Sequence, residues 1–220
     1  MKKVSILMLT YNAPKYVKKS IVSLKKLTKN SNYELIVVDN ASKHPTIRTL
    51  YKLKSQGLID KLYYNSQNDL FAKGNNIAAR LASEDSDYYL LLNSDIEIKS
   101  SDWLDKLIEL MPKEGGIASF GAVQSEPKRA DGYCMMINAD LYNKYKLDEH
   151  FQWWWGVTKL ESQVLKEGKK VIAIDNHEEY IHHFGGKSGK GFSDATGMDV
   201  NMDEVKKWFE DGNVEIKSHL

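Results

Sequence analysis

The sequence predicts an α/β protein: a mostly parallel sheet with helices on both faces and a smaller β region toward the carboxyl end. Three observations carry this. Strand-like and helix-like segments alternate through the first hundred residues, the pattern of successive βαβ units. Each apolar run there stops at a cluster of Asn, Asp, Ser or Thr, as strands do where an open sheet meets its ligand. The chain has 220 residues of which 42% are hydrophobic, enough to bury one substantial core.

Residues 4–9 are β-rich and run into Thr10-Tyr11-Asn12. Residues 16–27 carry apolar side chains at helical spacing. The short apolar run 35–38 ends in Asp39-Asn40-Ala41-Ser42, and Pro45, pre-set for a first helical turn, opens a helix through Leu53. A third strand at 62–64 is followed by Asn65 and Asn68, and residues 77–81 sit in a third helix. Tyr88-Tyr89-Leu90-Leu91-Leu92 is the fourth strand, stopping at Asn93-Ser94-Asp95. Residues 103–111 read as a helix after the cap cluster Ser100-Ser101-Asp102, residues 132–137 and 171–174 as strands, and residues 205–209 as an amphipathic helix packing back on the rest. One domain over 1–220 is expected, with a ligand-binding half at 1–99, a second half at 100–199 and a helix and tail at 200–220.

Charge and cysteine usage narrow the function. Lys+Arg number 31 against 30 Asp+Glu, a net charge of +1, so no nucleic-acid partner is expected. The single cysteine, Cys134, excludes an intrachain disulfide and a cysteine-based zinc cluster, and it reads as a small buried residue. No apolar stretch approaches the ~20 residues of a membrane span. The expectation is a soluble, cytoplasmic protein with possible peripheral contact at a membrane surface. Neither Gly-x-Gly-x-x-Gly after Leu9 nor a Gly-x-x-x-x-Gly-Lys-Ser loop occurs; Gly185-Gly186-Lys187-Ser188 lacks the first glycine.

Four polar strand ends on one sheet edge supply amides, hydroxyls and carboxylates that pair with a base and ribose. Tyr11 can stack, and Asp95 can hold a divalent cation against phosphate oxygens. Taken singly, each of these residues is also an ordinary turn former.

The ordered segments Val4 through Asn12, Glu34 through Ser42, Asn68 with Phe71-Ala72-Lys73-Gly74-Asn75-Asn76, and Leu91 through Asp95 resemble the motifs of family 2 glycosyltransferases of the GT-A fold. The resemblance implies a single GT-A domain, a nucleotide-diphosphate sugar (UDP-, GDP- or dTDP-linked), inversion at the anomeric carbon, and manganese or magnesium on the diphosphate. It places Thr10 and Asn12 at the nucleotide, Asp39 on the base or ribose, and Asn68 and Asn75 on the donor side. Gly74 would allow close backbone approach. Tyr11, Asn40, Asn93 and Ser94 join the same donor site. Asp95 matches the last acid of the Asp-x-Asp metal motif, with Asn93 in place of the first.

In the second half, Leu147-Asp148-Glu149-His150-Phe151 matches the family's Leu-Asp-Glu-x-Phe. The Glu-Asp pair expected after it, whose aspartate serves as base, is replaced by Gly156 and Val157. Glu161, one turn beyond Val157 on the same helix face, is the first substitute base, with Asp148 and Glu149 behind it; Glu161 reads equally as a solvated helix residue. Trp153-Trp154-Trp155 are expected in a loop, at least one of them against the acceptor, a glycan or glycoconjugate. By its spacing to Ser188, His183 is the resemblance's metal or diphosphate ligand and His182 the reserve. Lys187 and Ser188 belong to a glycine-rich loop able to fold over the diphosphate. The function expected is sugar transfer to a hydroxyl. The alternatives are a noncatalytic nucleotide-sugar or glycan-binding module without its base, and, behind it, a nucleotidyltransferase.

Overall fold

The computed structural model describes residues 1–29, 31–187 and 197–219. The first half alternates as expected: β1 (Lys3–Thr10), α1 (Pro14–Leu27), β2 (Asn32–Asp39), α2 (His44–Ser55), β3 (Lys61–Tyr64), α3 (Leu70–Arg80) and β4 (Tyr88–Leu92). There follow β5 (Ile96–Ile98), α4 (Trp103–Leu110), β6 (Gly116–Phe120), β7 (Ala122–Val123), β8 (Arg129–Ala130) and β9 (Cys134–Asn138). The chain continues through α5 (Ala139–Tyr145), α6 (Trp154–Lys166), β10 (Lys170–Ile174), β11 (Ile181–His183), α7 (Met202–Trp208) and β12 (Glu215–Lys217).

Eight strands form one sheet in the order β12-β10-β6-β9-β4-β1-β2-β3. Every pairing in it is parallel except those of β9, which runs against both β4 and β6. Alternation along β1 sends side chains to the two faces. Val4, Ile6 and Met8 pack with Ile21 of α1, Leu50 of α2 and Trp103 of α4. Leu7 turns the other way, into a layer with Ala78 of α3, Tyr142 of α5 and Leu160 of α6. Trp103 is fully buried and its indole N–H donates to Thr28 Oγ1 at 2.8 Å, which ties α4 to the end of α1. Cys134 is a buried free thiol, as its apolar reading required.

Three expectations change. Asp102 is the N-cap residue of α4, but its side chain caps no backbone N–H and instead accepts from Ser100 Oγ. The carboxyl-terminal tail does more than pack back: β12 pairs with β10 and becomes the sheet edge. The third helix starts at Leu70, well before the segment its apolar spacing marked, because Gly74, Asn75 and Asn76 are buried without being apolar. Among the described residues no helix is long and apolar enough to cross a membrane.

Candidate active site

A cavity of about 320 Å³ opens beyond the carboxyl ends of β1 and β4. One wall is Leu9, Tyr11, Asn40, Asn68 and Asn75; the floor is Asn93, Ser94 and Asp95; the far wall is Asp131, Gly132, Tyr133, Trp153, Trp154 and Val157. His183 and Gly186 line it as well. A second hollow of about 510 Å³ shares Tyr11 and is lined by Asn12, Lys43 and Thr46. Leu70 (φ 58°) and Trp153 (φ 46°), two non-glycine residues with positive φ, line the first, and Asn12 (φ 58°) lines the second.

Asp95 is placed by two strands. It sits between β4, which pairs parallel with β1, and β5, which pairs antiparallel with β11 so that His183 lies opposite Ile96. That pairing brings His183 Nε2 to 3.3 Å from Asp95 Oδ1, an ion-pair distance without hydrogen-bond geometry, and among the described residues Oδ1 has no hydrogen-bond partner although Asp95 is only 2% exposed. Its other oxygen, Oδ2, accepts the Lys187 backbone N–H at 3.0 Å. Burial is the largest influence on the Asp95 carboxyl and pushes its pKa up, but His183 and the Lys187 N–H together outweigh it and hold the group below its ordinary value. The charged form is therefore kept in a nearly dry place.

His183 is itself fixed. Tyr133 stacks on it with ring centroids 4.3 Å apart, and Asn93 Nδ2 lies 3.4 Å from Nε2. His182 points the other way along β11, exposed and edge-on to Phe184, so of the two histidines His183 lines the cavity and the reserve does not. A buried carboxylate oxygen beside an imidazole nitrogen is an O,N donor pair that fits manganese better than magnesium, which prefers oxygen ligands throughout. Among the described residues no group of three or more His, Cys, Asp or Glu could hold a metal, so any cation there must take further ligands from elsewhere.

Several expected donor residues are instead part of the scaffold. Asp39 is fully buried: Oδ1 accepts from Thr10 Oγ1 at 2.8 Å and Oδ2 from the Ser42 N–H at 2.9 Å, so it fastens the ends of β1 and β2 and lines neither hollow. Thr10 is buried with it. Gly74 does not face the cavity; a Cβ there would lie 2.5 Å from Leu9 Cδ1, so the glycine lets α3 sit against β1. Asn40 does reach the cavity while donating to Leu70 O and accepting from Asn65 Nδ2. Asn68 receives the Leu70 N–H, and Asn75 donates to Phe71 O; both line the wall. Asn12 Oδ1 accepts the Lys43 N–H at 3.0 Å, closing the β1 end onto the start of α2.

The second half departs further from expectation. Glu161 is neither solvated nor at the cavity. It is fully buried, Oε2 accepts the Ala130 N–H at 3.0 Å, and among the described residues Oε1 has no hydrogen-bond partner. Burial pushes its pKa up to about 8, against the lowering effect of the Ala130 N–H and Arg129. Asp148 accepts from His150 and Glu149 from Asn76 Nδ2, and neither lines the cavity. The tryptophans divide. Trp153 and Trp154 line the cavity, Trp154 from the first turn of α6 rather than from a loop. Trp155 turns away, donating its indole N–H to Met198 O at 3.0 Å under the Arg129 guanidinium. From the glycine-rich segment, Lys187 reaches the site through its backbone; Ser188 lies outside the described residues.

Asp131, Tyr133, Leu70, Phe71 and Gly186 line the cavity without having been singled out. Asp131 was findable, since it directly precedes the glycine already marked as a strand start.

The profile of the family described as Glycosyl transferase family 2 matches residues 5–176. No curated protein matches the chain. Among solved structures, the fold is similar to a mannosyltransferase, PcManGT from Pyrobaculum calidifontis, in complex with GDP-Man and Mn2+ (TM-score 0.67, 16% identity, 78% of this chain and 54% of that one). It is also similar to S. aureus TarS 1-349 in complex with UDP-GlcNAc (TM-score 0.57, 18% identity, 74% and 54%) and to GalNAc-T7 with UDP, GalNAc and Mn2+ (TM-score 0.64, 13% identity, 77% and 41%). The match spans about half the length of each of these chains, or less.

Proposed function

The chain belongs to glycosyl transferase family 2, and from that premise we propose that it moves a sugar from a nucleotide-diphosphate donor to a hydroxyl of a glycan or glycoconjugate acceptor, with inversion. The observation that carries this reading is the buried, charged Asp95 at the floor of the cavity, one of whose oxygens faces His183 and accepts no hydrogen bond among the described residues. Such a pair answers to a ligand that brings both a cation and negative oxygens.

Asp95 and His183 would hold the divalent cation, and the diphosphate would supply its remaining oxygen ligands. When bound, that cation neutralises charge developing on the departing diphosphate. The protein's own part is positional. Tyr133 stacking and Asn93 keep the imidazole turned to Asp95. The Lys187 N–H fixes the other carboxylate oxygen. Asn40, Asn68 and Asn75 present an amide wall to ribose and phosphate, and Tyr11 stands between the two hollows to stack on the base. Trp153 and Trp154 offer flat apolar faces to an acceptor sugar.

The test is a thermal-shift panel of UDP-glucose, UDP-N-acetylglucosamine, GDP-mannose and dTDP-glucose with and without manganese. A donor that binds the folded state raises the melting temperature, by an amount set by its occupancy. A shift with at least one donor, larger with manganese, is expected. No shift with any donor at millimolar concentration contradicts the reading.

A further inference from the structure

An inverting transfer needs a base at the acceptor hydroxyl, and the side chains that could serve are few. Among the described residues, two carboxylates line the cavity, Asp95 and Asp131. Asp95 is engaged by the Lys187 N–H and faces His183. Glu161 is sealed in the core, and Asp148 and Glu149 lie off the cavity. The geometry points to Asp131 as the catalytic base, taking the acceptor's proton from the wall that carries Trp153 and Trp154; this rests on the transferase reading above.

The placement of Asp131 is specific. Its backbone is held on both sides, the N–H donating to Gly121 O at 2.9 Å and the carbonyl accepting from Ser119 Oγ at 2.6 Å. The next residue, Gly132, packs so closely on α6 that a Cβ would lie 2.5 Å from Val157 Cγ2. Asp131 is thereby pressed against the start of α6, where Val157 and Trp154 also face the cavity. Among the described residues its Oδ1 receives one long contact, 3.3 Å, from the Tyr133 N–H, which orients the carboxylate. Glu161 contributes as a positioning residue: by accepting the Ala130 N–H it fixes the strand end one residue before Asp131. In the transfer, the Asp131 carboxylate accepts the hydroxyl proton as an oxygen lone pair forms the bond to the anomeric carbon. The bond from that carbon to the diphosphate oxygen breaks with its electron pair, which leaves on the nucleoside diphosphate.

The experiment compares wild type with Asp131→Asn, using the donors above with manganese and water or methyl glycosides as acceptors, and reads nucleoside-diphosphate release alongside donor-induced thermal shift. Asparagine keeps an oxygen for the Tyr133 N–H but cannot take the proton, and Asp131→Ser replaces it if the asparagine variant does not fold. Release slower by at least about 100-fold with an unchanged donor shift is expected. Release at the wild-type rate overturns the assignment, as does joint loss of release and donor shift, which would mark Asp131 as structural. Donor shift in wild type with no release to any acceptor also overturns it and leaves a binding module. No donor shift in wild type defeats the transferase reading itself.

Discussion

The two walls of the cavity are built by different means. The wall from β1 to β4 is made by consecutive βαβ units, so its polar residues fall at the ends of neighbouring parallel strands. The opposite wall comes from the β8–β9 connection and the first turn of α6, segments brought together by long-range contacts such as Gly132 on Val157 and the Ala130 N–H to Glu161. Besides Asp39, which Thr10 and Ser42 engage, two deeply buried carboxylates lie near the cavity, Asp95 at its floor and Glu161 behind the opposite wall, and these two behave oppositely. Asp95 is held charged, with His183 and a backbone N–H beside it. Glu161 is held neutral, with its pKa near 8 and one oxygen unsatisfied. A buried acid becomes a ligand site only where its surroundings stabilise the charge and open onto solvent.

Removing each acid should therefore break different things. Asp95→Ala is expected to have the largest effect, lowering turnover by about 10²–10³-fold and removing the manganese-dependent part of the donor thermal shift. Unchanged kinetics would detach the site from Asp95.

Glu161→Gln should leave donor shifts intact and change the pH dependence of stability. The folded chain holds a proton on Glu161 up to about pH 8, whereas the unfolded carboxyl releases it near its ordinary 4.5. The contribution is fully present below the lower value and is lost as pH rises through the upper one. Wild-type stability should fall across that window by up to about 1.4 kcal/mol per pH unit, and the glutamine variant should be flatter. Denaturant melts at a series of pH values decide it; parallel curves for the two proteins would contradict the neutral assignment.

Gly74→Ala tests the scaffold under the first wall. Its Cβ would meet Leu9 Cδ1 at 2.5 Å, and Leu9 lines the cavity. The variant should lose about 1–3 kcal/mol in denaturant melts and weaken donor binding through the displaced leucine. The smallest stability effect belongs to Trp154→Ala. This side chain is 48% exposed, so melting should change by under about 0.5 kcal/mol while KM for a glycan acceptor rises and donor affinity holds.

What the sequence made legible follows the same division. The run at residues 88–92 matches β4 residue for residue, and β1 extends its expected segment by one residue at each end, because short apolar runs between turn formers are local signals. Asp95, His183 and the amide wall were also within reach of motif and spacing. The strand pairing that sets the Asp95–His183 distance was not, since β5 and β11 are three residues each and lie apart in the chain with α4 through β10 between them. Asp39 and Gly74 were placed in the right strand end and helix but assigned to the ligand, when their partners turn out to be Thr10, Ser42 and Leu9. Glu161 shows the deeper reason: its helical position was clear, but whether that face meets solvent or core depends on β8, which no local pattern announced.

The central claim is that Asp95 and His183 hold a divalent cation against a nucleoside diphosphate. Electron paramagnetic resonance of free manganese tests it directly, with wild type and Asp95→Ala titrated in the presence of UDP or GDP. The account predicts that wild type removes the free-manganese signal when one of these nucleotides is present and that the alanine variant does not. Equal manganese uptake by both proteins would contradict it.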